Sequence, residues 1–314
     1  MKNSSIYVFS LFLLLMSCTQ QPSPTLQSGT GFVEVEGGKI WYGIMGQGEK
    51  PPLLCLHGGP GGTSRSFYHL SEIAEERPVI LFDQLGSGRS DHHQDTSLLK
   101  VEKFVEQVKA IQSELQLNEF YLVGSSWGTA LALEYYTKYP EGVKGIIFNS
   151  PYFSTRIWTK DADILVANLP DSIQVAIQQA DADSLFDTES YQAANRFFLS
   201  QHGRRNERIK HPYDTVAAYG SSFVYEYMWG PSEFTAKGTL KQYDNIENLK
   251  KVAVPTLFTT GEFDEARPET IETLSQLVPG SEFVVIPDAA HYSLNDNRPA
   301  VIEAMQAFLE KQEQ

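Results

Sequence analysis

Two rhythms of apolar and polar positions alternate along the chain from about residue 31. Phe32-Val33-Glu34-Val35-Glu36 and Lys39-Ile40-Trp41-Tyr42 alternate with period two around Gly37-Gly38, which predicts a β-hairpin. Residues 53–56, 79–82, 120–123 and 145–148 are short unbroken apolar runs, the pattern of strands buried on both faces of a parallel sheet. Between these runs, 98–115 sets Val101, Phe104, Val105, Val108, Ile111 and Leu115 on one helical face, and 130–139 continues as helix until Pro140. From 151 to 244 the rhythm changes: helical stretches at 172–180, 191–199 and 215–228 follow one another with no buried strand run. Strands resume at 256–260 and 283–286, and 300–309 closes the chain as an amphipathic helix. The pattern predicts an α/β protein with a mostly parallel sheet flanked by helices. Its core spans 31–150 and 245–314, split by a helical cap over 151–244.

Ahead of the hairpin the pattern is different. Lys2 precedes an apolar run from Ile6 to Met16, broken by Ser10. A membrane-spanning helix needs about 20 apolar residues, so this shorter run fits the h-region of a secretory signal peptide. Leu15-Met16-Ser17-Cys18 resembles the lipobox of bacterial lipoproteins, which implies cleavage before Cys18 and lipidation of that cysteine. Residues 1–17 are then a signal peptide, and 18–30, rich in Gln, Ser and Pro, a flexible tether. The implied location is exported: a lipid-anchored bacterial envelope protein, periplasmic or cell-surface, touching the membrane through its anchor alone. Cys55 is left without a disulfide partner and reads as a small core residue.

Charge narrows the choice of partner. Of 314 residues, 25 are Lys or Arg and 39 are Asp or Glu, a formal net charge of −14. Such a surface repels phosphate backbones, and nucleic acid is not an expected partner. No HExxH helix, clustered metal ligands or dinucleotide fingerprint stands in the sequence, so neither metal nor organic cofactor is expected.

The chemistry concentrates in three loops. Gly124-Ser125-Ser126-Trp127-Gly128 fits the G-x-S-x-G nucleophile elbow, entered by the strand 120–123 and left by a helix, which is the context of the α/β-hydrolase fold. A serine hydroxyl needs a base within hydrogen-bond reach and a carboxylate to orient that base. In this fold acid and base follow the nucleophile in chain order. Asp264 lies after the strand 256–260 and His291 after 283–286; Glu262, Glu265 and Asp288 are rival acids at this stage. Third, His57-Gly58-Gly59-Pro60-Gly61-Gly62 follows the strand 53–56. Its glycine-rich backbone can turn amide N–H groups toward an oxyanion, with Gly59 and Trp127 N–H the expected donors. His57 reads as an anchor of that loop.

His57-Gly-Gly-Pro-Gly61, Asp83-Gln84-Leu85-Gly86-Ser87-Gly88-Arg89-Ser90 and the elbow together resemble the proline iminopeptidases, and among them most resemble the tricorn-interacting prolyl aminopeptidase. The likeness continues through 225–234 and Gly261-Glu262-Phe263-Asp264-Glu265, and weakens between 157 and 210. It implies Asp264 as the triad acid, and Glu233 and Glu265 as the groups that bind the free α-ammonium of a short peptide; Glu226 and Glu262 are weaker candidates. The implied activity is release of an N-terminal residue, preferably proline, through an acyl-enzyme. An esterase or amidase with the same triad is the alternative, and a non-catalytic surface binding protein a more distant one.

Overall fold

The computed structural model describes residues 25–209 and 220–314. The expected signal peptide, Cys18 and most of the tether lie outside the described residues, as does the first part of the helix expected at 215–228.

Eight strands form one sheet in the order β1-β2-β4-β3-β5-β6-β7-β8. β1 (Gly29–Val35) and β2 (Gly38–Met45) make the antiparallel hairpin, and β2 also pairs antiparallel with β4 (Val79–Phe82). The hairpin turn falls at Glu36-Gly37, one residue earlier than Gly37-Gly38. Gly38 pairs with Val35, and Gly37 takes the left-handed conformation, φ 95°, that closes the turn. β3 (Leu53–Leu56), β5 (Phe120–Ser126), β6 (Val143–Pro151), β7 (Thr256–Gly261) and β8 (Glu282–Ile286) are parallel to β4.

The unbroken apolar runs are explained by the two layers that cover the sheet. Leu54, Leu56, Ile80, Phe82, Leu122 and Phe148 face α1 (Val101–Glu114) and α2 (Trp127–Lys138). Leu53, Cys55, Val79, Leu81, Val123 and Ile147 face the layer formed by the helical segment Ser64–Ser71 and the C-terminal helix Arg298–Gln312. Alternate residues of one strand thus serve opposite layers, and none can be polar. Cys55 is fully buried, and burial pushes its thiol pKa far up, consistent with a packing role.

Between β6 and β7 the described residues contain no named strand, and α3 (Thr155–Val166), α4 (Asp171–Asp183), α5 (Glu189–Phe198) and α6 (Ser222–Met228) pack there. Val166, Leu169, Ile177, Ala194 and Phe198 give this segment a small core of its own. α3 was not expected from the periodicity. Its N-cap is Ser154, whose hydroxyl accepts from Ile157 N–H at 3.5 Å. No helix among the described residues is long and apolar enough to cross a membrane.

One topological fact positions the site. The chain leaves β3 for β4 on one side, then crosses back to β5 on the other. The C-terminal ends of β3 and β5 therefore lie side by side, Leu56 against Gly124, at the switch point where open α/β sheets bind ligands.

Candidate active site

Ser126 ends β5 and caps α2 with φ 54° and ψ −125°, a region that L-residues rarely occupy. Such strain costs about 1–3 kcal/mol and persists only where the surroundings impose it. They do so here: a Cβ on Gly128 would sit 1.9 Å from the Leu56 carbonyl oxygen, so α2 approaches β3 closely only because Gly128 has none. The Thr129 hydroxyl donates to the Ser126 carbonyl (2.7 Å) and accepts from Tyr152 N–H (2.9 Å), tying the elbow to the end of β6. Trp127 is the first residue of α2, and its N–H has no partner within the helix.

The structure separates the rival acids. Asp264 Oδ1 lies 2.8 Å from His291 Nδ1. The same carboxylate accepts from Thr260 Oγ1 (3.0 Å), Gly261 N–H (3.2 Å) and Ala266 N–H (2.8 Å), and is 1% exposed. Glu262 and Asp288 are exposed, and Glu262 accepts from Asp288 N–H. Glu226 is exposed as well. The His291 loop is held at both ends of its peptide unit: its N–H donates to His202 O (3.1 Å), and its carbonyl accepts from Ser150 Oγ (3.0 Å). Trp158 of α3 stands edge-on to the imidazole at 5.4 Å between ring centres. Ser126 and His291 line one cavity.

The glycine-rich loop is fixed by Gln84, the second residue of the Asp83–Ser90 motif. Gln84 donates from Nε2 to His57 O (2.9 Å) and from its backbone N–H to His57 Nε2 (2.9 Å), and accepts from Trp127 Nε1 at 3.1 Å. His57 Nε2 is therefore an acceptor, which leaves Nδ1–H to donate to Gly58 O at 2.9 Å. Burial holds the His57 pKa below its ordinary value, so the ring is a neutral anchor and no second base. Gly59 has φ 119°, a conformation this loop needs and a side chain would oppose. Asp83 accepts from Ser64 N–H (2.9 Å), Ser64 Oγ (2.7 Å) and Arg89 N–H (3.0 Å), and Arg89 stacks over Trp41 at 4.4 Å. The Asp83–Ser90 motif is thus scaffold for the loop above it.

Glu233 and Glu265 are brought to the site. Glu265 is buried, with Oε1 3.8 Å from His291 Nδ1. Glu233 accepts from the Tyr225 hydroxyl at 2.6 Å and borders a small cavity walled by Trp127, Tyr152, Trp158, Trp229 and Leu240. Burial, then the Glu233 and Asp264 charges, hold the Glu265 carboxyl well above the usual range, against the pull of His291. For His291, burial alone would lower the pKa. The Asp264 charge, then Glu265, the Asp264 hydrogen bond and Glu233 outweigh burial and raise it to about 9. Among the described residues, no group of three His, Cys, Asp or Glu side chains is placed to hold a metal ion.

A strained serine at an elbow, an aspartate-held histidine on one cavity with it, and a glycine-rich loop beside both form the arrangement of a serine hydrolase. Residues 51–297 match the family model described as the alpha/beta hydrolase fold. The proline iminopeptidase of Heyndrickxia coagulans is 40% identical over 263 residues, covering 83% of this chain and 91% of that one. That of Saccharolobus solfataricus is 31% identical over 285 residues, covering 90% and 92%. Among solved structures, the Mycobacterium smegmatis proline iminopeptidase superposes with a TM-score of 0.81 at 27% identity, covering 90% of this chain and 98% of that one. The chain belongs to the α/β-hydrolase fold family and, within it, to the proline iminopeptidases.

Proposed function

We propose that the protein is a serine aminopeptidase that releases the N-terminal residue, preferably proline, from short peptides. The observation that carries this reading is the pair of carboxylates beside the imidazole. Among the described residues, the only cation within ion-pair distance of buried Glu265 is His291 itself. A substrate ammonium placed between Glu233 and Glu265 supplies the missing positive charge and sets the first carbonyl in front of Ser126. The small aromatic cavity beside Glu233 suits a compact apolar ring such as that of proline.

In this mechanism Ser126 Oγ attacks the carbonyl carbon while its proton passes to His291. The Gly59 and Trp127 N–H groups stabilise the oxyanion, and loss of one such donor lowers turnover on the order of 10²–10³-fold. His291 then protonates the leaving amine, the C–N bond breaks, and a prolyl ester on Ser126 remains. Water, deprotonated by His291, hydrolyses the ester and frees proline. Asp264 holds the imidazole with Nε2 toward the serine throughout.

The test is hydrolysis of prolyl-aminocoumarin by the purified full chain, beside N-acetyl-prolyl and alanyl analogues, simple esters and the Ser126→Ala variant. Cleavage that requires the free amine and vanishes in the variant upholds the reading. Equal cleavage of acylated substrates or esters would replace it with the esterase reading. The leader belongs to the same proposal: the chain is exported and anchored through lipid on Cys18. Its support is the apolar run 6–16 followed by Leu15-Met16-Ser17-Cys18. Cys18→Ala then moves the protein from the membrane to the soluble fraction, and an unchanged distribution counts against the anchor.

A further inference from the structure

Asp264 and His291 stand on separate loops, after β7 and after β8, so their 2.8 Å contact depends on what holds the two loops in place. The loops touch directly where Glu262 N–H donates to Ile286 O (2.9 Å) and Phe263 N–H to Ala289 O (2.9 Å). The peptide unit that leads into Asp264 lies beyond these ties. Its N–H, that of Asp264, donates to Gly261 O at 3.2 Å, the long end of the range for such a bond. Its carbonyl, that of Phe263, lies 2.9 Å from His202 Nδ1. A carbonyl can only accept, so Nδ1 carries the proton and donates.

We infer that His202 is a positioning residue of the triad: its imidazole fixes the acid loop while its backbone carbonyl fixes the base loop. That carbonyl accepts from His291 N–H at 3.1 Å. A single residue of the inserted segment thus holds the peptide unit ahead of Asp264 and the amide of His291. His202 lines neither cavity at Ser126, so it acts through Asp264 and His291 and not on the substrate. This role rests on the triad of the reading above.

The ring is itself held. α5 ends at Phe198, and the backbone then widens into one π turn over Leu199–Gly203, closed by Arg204 N–H to Leu199 O at 2.8 Å. Single turns of this kind recur at functional sites. The His202 ring rests on Phe198 with 5.0 Å between centres, and Phe198 is fully buried and edge-on to Phe234 at 4.7 Å. Phe234 follows Glu233, so the proposed ammonium clamp and the support of the acid loop brace the same aromatic side chain. Burial holds the His202 pKa below its ordinary value, and the ring is neutral at pH 7. A neutral donor suits this place. A second cation there would compete with His291 for the Asp264 charge and weaken the base.

The experiment compares two variants of the full chain. His202→Phe keeps a ring against Phe198 and loses the donor. His202→Asn keeps a donor, since its side-chain amide nitrogen stands as many bonds from the backbone as imidazole Nδ1. Two reactions are read on each: kcat and KM for prolyl-aminocoumarin, and the rate at which a fluorophosphonate labels Ser126. The end point of labelling counts competent sites, so both rates are taken per competent site and do not depend on the folded fraction. His202→Phe is expected to lower kcat about tenfold with KM little changed, and to slow labelling by a similar factor, because both reactions need an aligned base. His202→Asn recovers most of both rates. An unchanged labelling rate in His202→Phe, a loss confined to KM, or a His202→Asn variant no faster than His202→Phe overturns the proposal and leaves the triad standing. Absence of labelling at Ser126 in the unmodified protein overturns the triad and the proposal with it. Labelling without cleavage of prolyl-aminocoumarin overturns the aminopeptidase reading alone, and the labelling rates of the two variants then decide the role of His202.

Discussion

Glu265 and Arg204 each bring a formal charge to the site around Ser126, but their surroundings differ. Glu265 is buried beside Asp264, His291 and Glu233, and its proton affinity is raised as a result. Arg204 is exposed at the wall of an open cavity. The same unit of charge is expensive and far-reaching in the first setting, cheap and screened in the second. A charge like that of Glu265 can therefore shift the proton affinity of its neighbours, whereas one like that of Arg204 acts weakly on them.

The largest expected effects lie on the catalytic residues both sides serve. Ser126→Ala abolishes turnover, and Asp264→Asn lowers kcat about 10⁴-fold, because amide nitrogen in place of Oδ1 disfavours the required tautomer. A loss under about tenfold in steady-state assays would remove Asp264 from the triad. Next comes Glu265→Gln. It lowers kcat/KM on free-amine substrates by about 10²-fold, and it moves the pH profile. In the free enzyme His291 is protonated below about 9, so kcat/KM rises with pH toward that value. Removing Glu265 removes one of the charges that raise the His291 pKa, and the acid limb shifts to lower pH. Arg204→Gln leaves that limb in place, since Arg204 is not among the charges acting on His291. A limb that moved with Arg204 instead would erase the contrast between the two settings.

Stability offers a smaller and opposite effect. An acid whose pKa is raised by folding takes up a proton on folding, so its cost is absent below the unfolded carboxyl range and grows as pH rises. Glu265→Gln is therefore more heat-stable than the parent near pH 7–8, by about 2–4 °C for each kcal/mol gained, and the gain fades toward pH 4. Differential scanning calorimetry at the two pH values checks the sign.

How much of this could be read beforehand depended on the range of the interactions. β3, β4, β7 and the elbow appear in the sequence because a strand buried on both faces must be apolar at every position and because a strained turn needs Gly128 next to the helix. Chain order in the fold points to His291 and to the loop after β7 as the source of the acid, and the resemblance of Gly261-Glu262-Phe263-Asp264-Glu265 to the family motif singles out Asp264 among its rivals. The role of Gln84 was hidden, since it depends on β4 lying beside β3 and on Trp127 reaching across to it. α3 does not stand out in the sequence because the polar residues Thr155 and Asp161 occupy its buried face beside Trp158, Ala162 and Val166. Asp161 is nonetheless buried and pairs with Arg267 at 3.4 Å, a contact more than one hundred residues away in sequence. Arg65, Arg204 and Arg208 line the cavity shared by Ser126 and His291, and no local pattern announces that they share it. The run Arg204-Arg205-Asn206-Glu207-Arg208, basic in an acidic chain, was the available hint.

The backbone bonds from His291 N–H to His202 O and from Tyr292 N–H to Gly203 O stitch the inserted segment to the loop that carries the base. The stitch limits how substrates can come and go. A swing of residues 202–204 away from the sheet would drag the imidazole off Asp264 and idle the enzyme with every opening. Insertions or graftings in this segment therefore have to preserve those two hydrogen bonds before any new specificity can be expressed.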